Sequence, residues 1–110
     1  MQGCTSLTSI DLSGLTQVRF IGWGFLEGCS GLTSIDLSGL TQVRSIGNYF
    51  MKNCENLTSI DLSGLTRQID IGNGFLKGCK SLTSIKCSQE VKNIIKPKIS
   101  LSNVNFIITS

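Results

Sequence analysis

The decapeptide Leu-Thr-Ser-Ile-Asp-Leu-Ser-Gly-Leu-Thr occurs three times without change, at residues 7–16, 32–41 and 57–66, so each copy follows the last by 25 residues. A fourth copy fades after Leu82-Thr-Ser-Ile85. A fixed period of this size constrains the fold more than any local propensity. One such unit is too short to bury an apolar face alone and must stack on its neighbours. The period therefore predicts a solenoid of three full rungs and a partial fourth, near the lower limit of about three repeats for a stable stack. A chain of 110 residues has room for one such domain.

Within a rung, Leu7, Ile10 and Leu12 alternate or nearly alternate with Thr8, Ser9, Asp11 and Ser13, the pattern of a short strand with one buried face. Ser13-Gly14 supplies a turn, and a second apolar group follows at Leu15, Val18 and Ile21. Phe25, Leu26 and Cys29 close the rung. A short strand on one side, an extended or turn segment opposite, and at most a 3₁₀ or single helical turn near residues 25–29 are expected. Stacking would align Leu7, Leu32, Leu57 and Leu82, then Ile10, Ile35, Ile60 and Ile85, then Phe25, Phe50 and Phe75, into apolar ladders with strands ~4.8 Å apart. In the third rung Gln68 enters the column of Val18 and Val43, which predicts a local rotation that turns Gln68 to solvent and Ile69 inward.

Four of the five cysteines, Cys4, Cys29, Cys54 and Cys79, keep the period, and Cys87 does not. Neither a close Cys-x-x-Cys pair nor the varied spacing of a disulfide framework is present, so a ladder of buried thiols is the simplest reading. The repeat array is assigned to residues 1–88. Residues 89–110, with the chain's one proline, belong to the same domain as a C-terminal cap, expected to be a β-hairpin of residues 99–101 and 104–109 turning at Ser102-Asn103. Met1-Gln-Gly-Cys4 aligns with Leu26-Glu-Gly-Cys29, so the chain begins in mid-rung, as a fragment would. An open first rung exposing Leu7 and Ile10 would also offer an edge for self-association.

The outward positions of the front strand are the candidate partner-binding residues: Ser9 and Asp11, Ser34 and Asp36, Ser59 and Asp61, then Lys86 in place of the fourth aspartate. Stacked carboxylates would form an acidic stripe able to receive Lys or Arg side chains. The alternative is a solvated polar face copied with the repeat, and it is the simpler reading. A flat Asp and Ser ladder offers too few oxygens for calcium, so neither metal nor cofactor is expected. The chain has no histidine and no activated cysteine, which argues against an enzyme. Gly-rich pieces such as Ile21-Gly-Trp-Gly lack the Lys-Ser/Thr of a nucleotide loop. On the opposite face, Arg19, Arg44 and Trp23 form either a cation and aromatic patch or, as the simpler reading, Trp23 covers the edge of the core. A net charge of +3 with 15% charged residues and no basic run excludes a nucleic-acid stripe. No apolar run approaches the ~18 residues of a membrane span, and the first residues lack the layout of a secretory signal.

The pattern Leu-x-x-Ile-x-Leu, followed by Ile-Gly-x-x-Phe-x-x-x-Cys, is carried by Leu7, Ile10, Leu12, Ile21, Phe25 and Cys29 and by the matching positions of the next two rungs. It resembles the BspA-like class of leucine-rich repeats, over Met1 to about Ser88 and not over the tail. The resemblance implies a right-handed arc with a parallel β-sheet on the concave face and short extended or 3₁₀ segments on the convex face. It also implies an extracellular or cell-surface role in adhesion or protein recognition. The function expected is a non-catalytic module presenting the concave Ser/Asp ladder to a protein or glycoprotein. The alternative is a structural unit that assembles through its first rung.

Overall fold

A computed structural model of the chain describes residues 9–11, 16–65, 69–99 and 104–109. The elements in order are β1 (Ser9–Asp11), β2 (Phe20–Ile21), β3 (Ser34–Asp36), β4 (Ser45–Ile46), β5 (Ser59–Asp61), β6 (Asp70–Ile71), β7 (Ser84–Cys87), α1 (Gln89–Ile95) and β8 (Asn105–Ile108), with a 3₁₀ turn Lys96–Lys98 after the helix. Each repeat adds one strand to each of two parallel sheets, ordered β1-β3-β5-β7-β8 and β2-β4-β6. Pairing obeys the sequence period: Ile10 faces Ile35, Ile35 faces Ile60, Ile60 faces Ile85, and Ile21, Ile46 and Ile71 align in the second sheet. A slip of one residue would turn every isoleucine outward, so burial fixes this register.

Between the sheets lies one apolar core. The second rung contributes Leu32, Ile35, Leu37, Leu40, Val43, Ile46, Phe50, Met51 and Cys54, all buried, and the third repeats the set with Leu57, Ile60, Leu62, Leu65, Ile71, Phe75, Leu76 and Cys79. Ile69 is buried as expected, while Gln68, whose outward turn was expected with it, lies outside the described residues. The rings of Phe25, Phe50 and Phe75 stack nearly parallel, with centroids 5.7 and 5.2 Å apart.

A third wall closes each rung, and it is built from turns. Gly24, Leu26 and Gly28 all have positive φ, as do Tyr49, Met51 and Asn53 in the next rung and Gly74, Leu76 and Gly78 in the third. Alternation of this kind lets the turns hydrogen-bond between rungs: Gly24 N–H donates to the Asn48 carbonyl at 2.9 Å, Met51 N–H to Phe25 at 2.8 Å and Gly28 N–H to Lys52 at 2.8 Å. The same three bonds recur one rung on, from Tyr49 to Asn73, Leu76 to Phe50 and Asn53 to Lys77. Left-handed backbone costs a non-glycine residue about 1–2 kcal/mol. Burying a Leu or Met side chain returns about 1.5–3 kcal/mol, and Leu26, Met51 and Leu76 are fully buried. The turns at residues 25–29 thus keep the i to i+3 bonding expected, with Cys29 N–H donating to Leu26 at 3.3 Å, but belong to a continuous ladder.

Residues 100–103, most of the first strand and the turn of the expected hairpin, lie outside the described residues, and what is described of the tail is a helix and one strand. Gln89–Ile95 is helical, and Asn105–Ile108 pairs in parallel with Ser84–Cys87, Ile85 facing Phe106. Parallel pairing demands a crossover, and the helix supplies it. Lys86 explains why the rung stops here. In the second and third rungs an aspartate at this column accepts the backbone N–H two residues on, at 2.9 Å. Lysine has no acceptor, and Ser88 instead caps α1 by accepting the Val91 N–H at 3.2 Å. Val91 and Ile95, one helical turn apart, are fully buried and close that end of the core.

Candidate functional site

The outer face of the first sheet follows directly from strand alternation. In β3, Ile35 is buried while Ser34 and Asp36 are exposed, and in β5, Ser59 and Asp61 flank buried Ile60. Register then sets Ser9, Ser34, Ser59 and Ser84 in one rank and Asp11, Asp36, Asp61 and Lys86 in another. The side chains of Ser9 and Asp11 lie outside the described residues, but their backbone pairing places both at the same register positions. All seven residues picked out from the sequence therefore fall on the sheet that the repeat builds.

The aspartates also have a local task. Asp36 Oδ1 accepts the Ser38 N–H and Asp61 Oδ1 accepts the Ser63 N–H, both at 2.9 Å. These Asx turns fold the chain away from the strand and fix each carboxylate's orientation. One oxygen of each carboxylate is engaged in this way.

Two further ladders in the repeat have structural explanations. Thr58 Oγ1 donates to the Thr33 carbonyl at 3.0 Å and Thr83 Oγ1 to the Thr58 carbonyl at 3.1 Å, which ties neighbouring rungs together. No disulfide joins Cys29, Cys54, Cys79 or Cys87, and all four are buried. Cys54 Sγ donates to the Leu26 carbonyl at 3.2 Å and Cys79 Sγ to the Met51 carbonyl at 3.1 Å. The thiols satisfy the carbonyls of the left-handed residues in the rung before. The neighbouring Cys79 sulfur and burial push the Cys54 thiol far above the ordinary range. Burial pushes Cys87 from 9.0 up to about 11, Lys92 drawing it slightly back. Enclosed and held protonated, Cys54 and Cys87 are poor nucleophiles. Among the described residues no cluster of His, Cys, Asp or Glu could hold a metal ion.

On the second sheet the reading of Trp23 as a cover for the core gives way. Its ring is 64% exposed and meets Tyr49 edge-on, with centroids 5.5 Å apart at 80°. The cation of this patch is Lys52, whose Nζ lies 4.5 Å from the Tyr49 ring centroid, rather than Arg19 or Arg44. Tyr49 went unremarked in the sequence although it stands in the column of Gly24 and Gly74, where a large aromatic breaks the pattern.

Among curated proteins and among solved structures, nothing matches this chain. The family model described as BspA type leucine rich repeat region matches in six copies across residues 1–109. That match runs beyond Ser88 into the tail, in keeping with β8 extending the parallel ladder. By its repeats, from the first rung to the strand that ends the first sheet, the chain belongs to the BspA-type leucine-rich repeat family.

Proposed function

We propose that this chain is a non-catalytic recognition or adhesion module whose Ser/Asp ladder, on the concave face of a right-handed arc, receives a basic segment of a protein or glycoprotein. Membership of a leucine-rich repeat family supports a protein-binding or adhesion-type repeat module in general. The observation that carries the finer reading is the alignment of Asp11, Asp36 and Asp61 at one register position on adjacent strands. The Asx turns hold the Asp36 and Asp61 carboxylates in place before any partner arrives, which lowers the ordering cost of binding. Lysine or arginine side chains spaced along an extended partner strand would match such a column.

The test replaces Asp11, Asp36 and Asp61 together by Asn and measures binding to a panel of extracellular matrix proteins. Asparagine keeps an acceptor for the Asx turn, so the variant should fold while losing the charge. Binding is expected to fall and to lose its salt dependence. Unchanged binding by the folded variant removes the ladder from the mechanism.

A second reading, self-assembly, draws on the two ends of the first sheet. β1 and β8 are its edge strands, and β8 exposes Ile107 and Ile108. The Leu7 side chain of the expected N-terminal edge lies outside the described residues. Light scattering across a range of concentrations, with and without reductant, separates the readings: a mass that rises with concentration and survives reductant favours assembly.

A further inference from the structure

The outer face of the second sheet holds a trough that runs along the stack. Its floor is Gly47 and Gly72 with the backbone of Ile46 and Ile71. A Cβ on Gly47 would come within 2.9 Å of the Gly22 backbone, so the floor accepts no side chain. One wall holds Ser45 and Asp70, which strand register aligns. Trp23 and Asn48 form the other wall, and the trough, open to solvent, has a volume of about 390 Å³.

The lining begins with one exposed aromatic ring, Trp23 at 64% exposure, and continues with hydroxyl, amide and carboxylate groups. Trp23 is braced by its edge contact with Tyr49 and so stands out from the surface with little freedom to lose. Asn48 spends its Oδ1 on the Asn73 N–H at 2.8 Å, which orients the amide and leaves Nδ2 as a donor. A pyranose ring matches this combination. It has one face of C–H groups, which packs on an aromatic ring, and a rim of hydroxyl pairs that planar Asp and Asn groups can engage together. Among the described residues Asp70 is the one ionisable side chain lining the trough, which disfavours an anionic sugar. A protein partner needs about 800 Å² on each side, whereas sites of about 300–1,000 Å³ suit small molecules.

We propose that this trough binds a neutral saccharide, one pyranose face stacked on Trp23 and the ring hydroxyls hydrogen-bonded to Asp70, Asn48 and Ser45. The site is separate from the Ser/Asp ladder and does not depend on it.

Trp23 is the only tryptophan in the chain, so its emission reports the site alone. Cellotetraose, triacetylchitotriose, mannotriose and galactobiose are titrated into the full chain up to roughly 10 mM, a range that captures the mM dissociation constants of weak sites. At least one is expected to shift the emission to the blue and to protect it from acrylamide quenching. Trp23→Ala and Asp70→Ala, read by calorimetry with circular dichroism as the check on folding, should each weaken that sugar by about tenfold or more. Trp23→Phe, which keeps an aromatic face, should weaken it less and serves in place of Trp23→Ala if that variant misfolds. Emission and quenching unmoved by every probe overturn the proposal. Binding that survives Trp23→Ala in a folded protein overturns it as well, as does capture of a glycoprotein that persists after its glycans are removed and is lost in Trp23→Ala, which would make the trough a protein surface.

Discussion

The two sheets carry the same inward isoleucines and treat their outer faces in opposite ways. Outside the first, the Ser and Asp ranks repeat from rung to rung until Lys86. Outside the second, the corresponding column reads Phe20, Ser45, Asp70 and never repeats. The difference follows from what each column does for stacking. Asp36 and Asp61 make Asx turns, Thr58 and Thr83 bond the rung before, and Cys54 and Cys79 satisfy buried carbonyls. A residue with such a task is needed in every rung. Phe20, Ser45 and Asp70 point outward from short strands whose pairing is carried by backbone, and each is at liberty to differ. Repetition in this chain marks what a rung needs to stack, and variation marks where one rung acquires a surface of its own.

Phe50→Ala and Trp23→Ala put the sharpest question to that contrast. Phe50 is fully buried and stacked between Phe25 and Phe75, so its truncation should destabilise the fold by about 3–5 kcal/mol in urea titration. Trp23, mostly exposed, should cost less than about 1 kcal/mol. Comparable losses would mean that the varied face is structural after all. Next in size is Cys54→Ala, which removes one of the two hydrogen bonds to the buried Leu26 carbonyl, the other coming from the Cys29 N–H, and should cost about 0.5–1.5 kcal/mol. Cys54→Ser, which retains a donor, should recover part of that loss and identify the hydrogen bond as the reason the column is cysteine.

Alkaline pH probes the same buried sulfurs. The Cys87 thiol is raised from 9.0 to about 11 in the folded chain, so the folded state holds its proton where the unfolded state has released it. A raised pKa gives stability that is complete below 9.0 and is lost as pH rises toward and through 11. Denaturation midpoints should therefore fall over that window. Cys87→Ala, less stable at neutral pH through its lost packing, should show a shallower fall.

Much of this was legible in the sequence. Alternation of Leu7, Ile10 and Leu12, repeated with the period, is enough to give the strands, their parallel order and their register, because only one register buries every isoleucine. The third wall was not legible. Glycines at 24, 28, 74 and 78 hint at left-handed backbone, but the wall also depends on positive φ at Leu26, Met51 and Leu76, residues that avoid that region unless burial compensates. The helix left a fainter signal than the period. Ser88 as a cap and Val91 with Ile95 four residues apart mark it, but a reading tied to the rung expected a leucine where Glu90 stands. The candidate ladder was legible as geometry, whereas the Asx turns that explain its repetition appear only when backbone N–H groups are traced.

Asp36 is where the two explanations of the repeated face meet, and its substitutions separate them at the smallest scale. If the residue is kept for its turn, Asp36→Ala should destabilise the chain by about 0.5 kcal/mol, the lower end of the net worth of a hydrogen bond, since this one is exposed. Asp36→Asn should then be nearly silent, since the amide oxygen still accepts the Ser38 N–H. If the residue is kept for its charge, the order reverses in a binding assay: Asn loses affinity for a basic partner as fully as Ala does. Thermal melts and partner titrations on the same two variants thus read different roles of one side chain, the turn through the fold and the charge through recognition. Silence of Asp36→Asn in both would leave the ladder as scaffolding, repeated because every rung needs its turn.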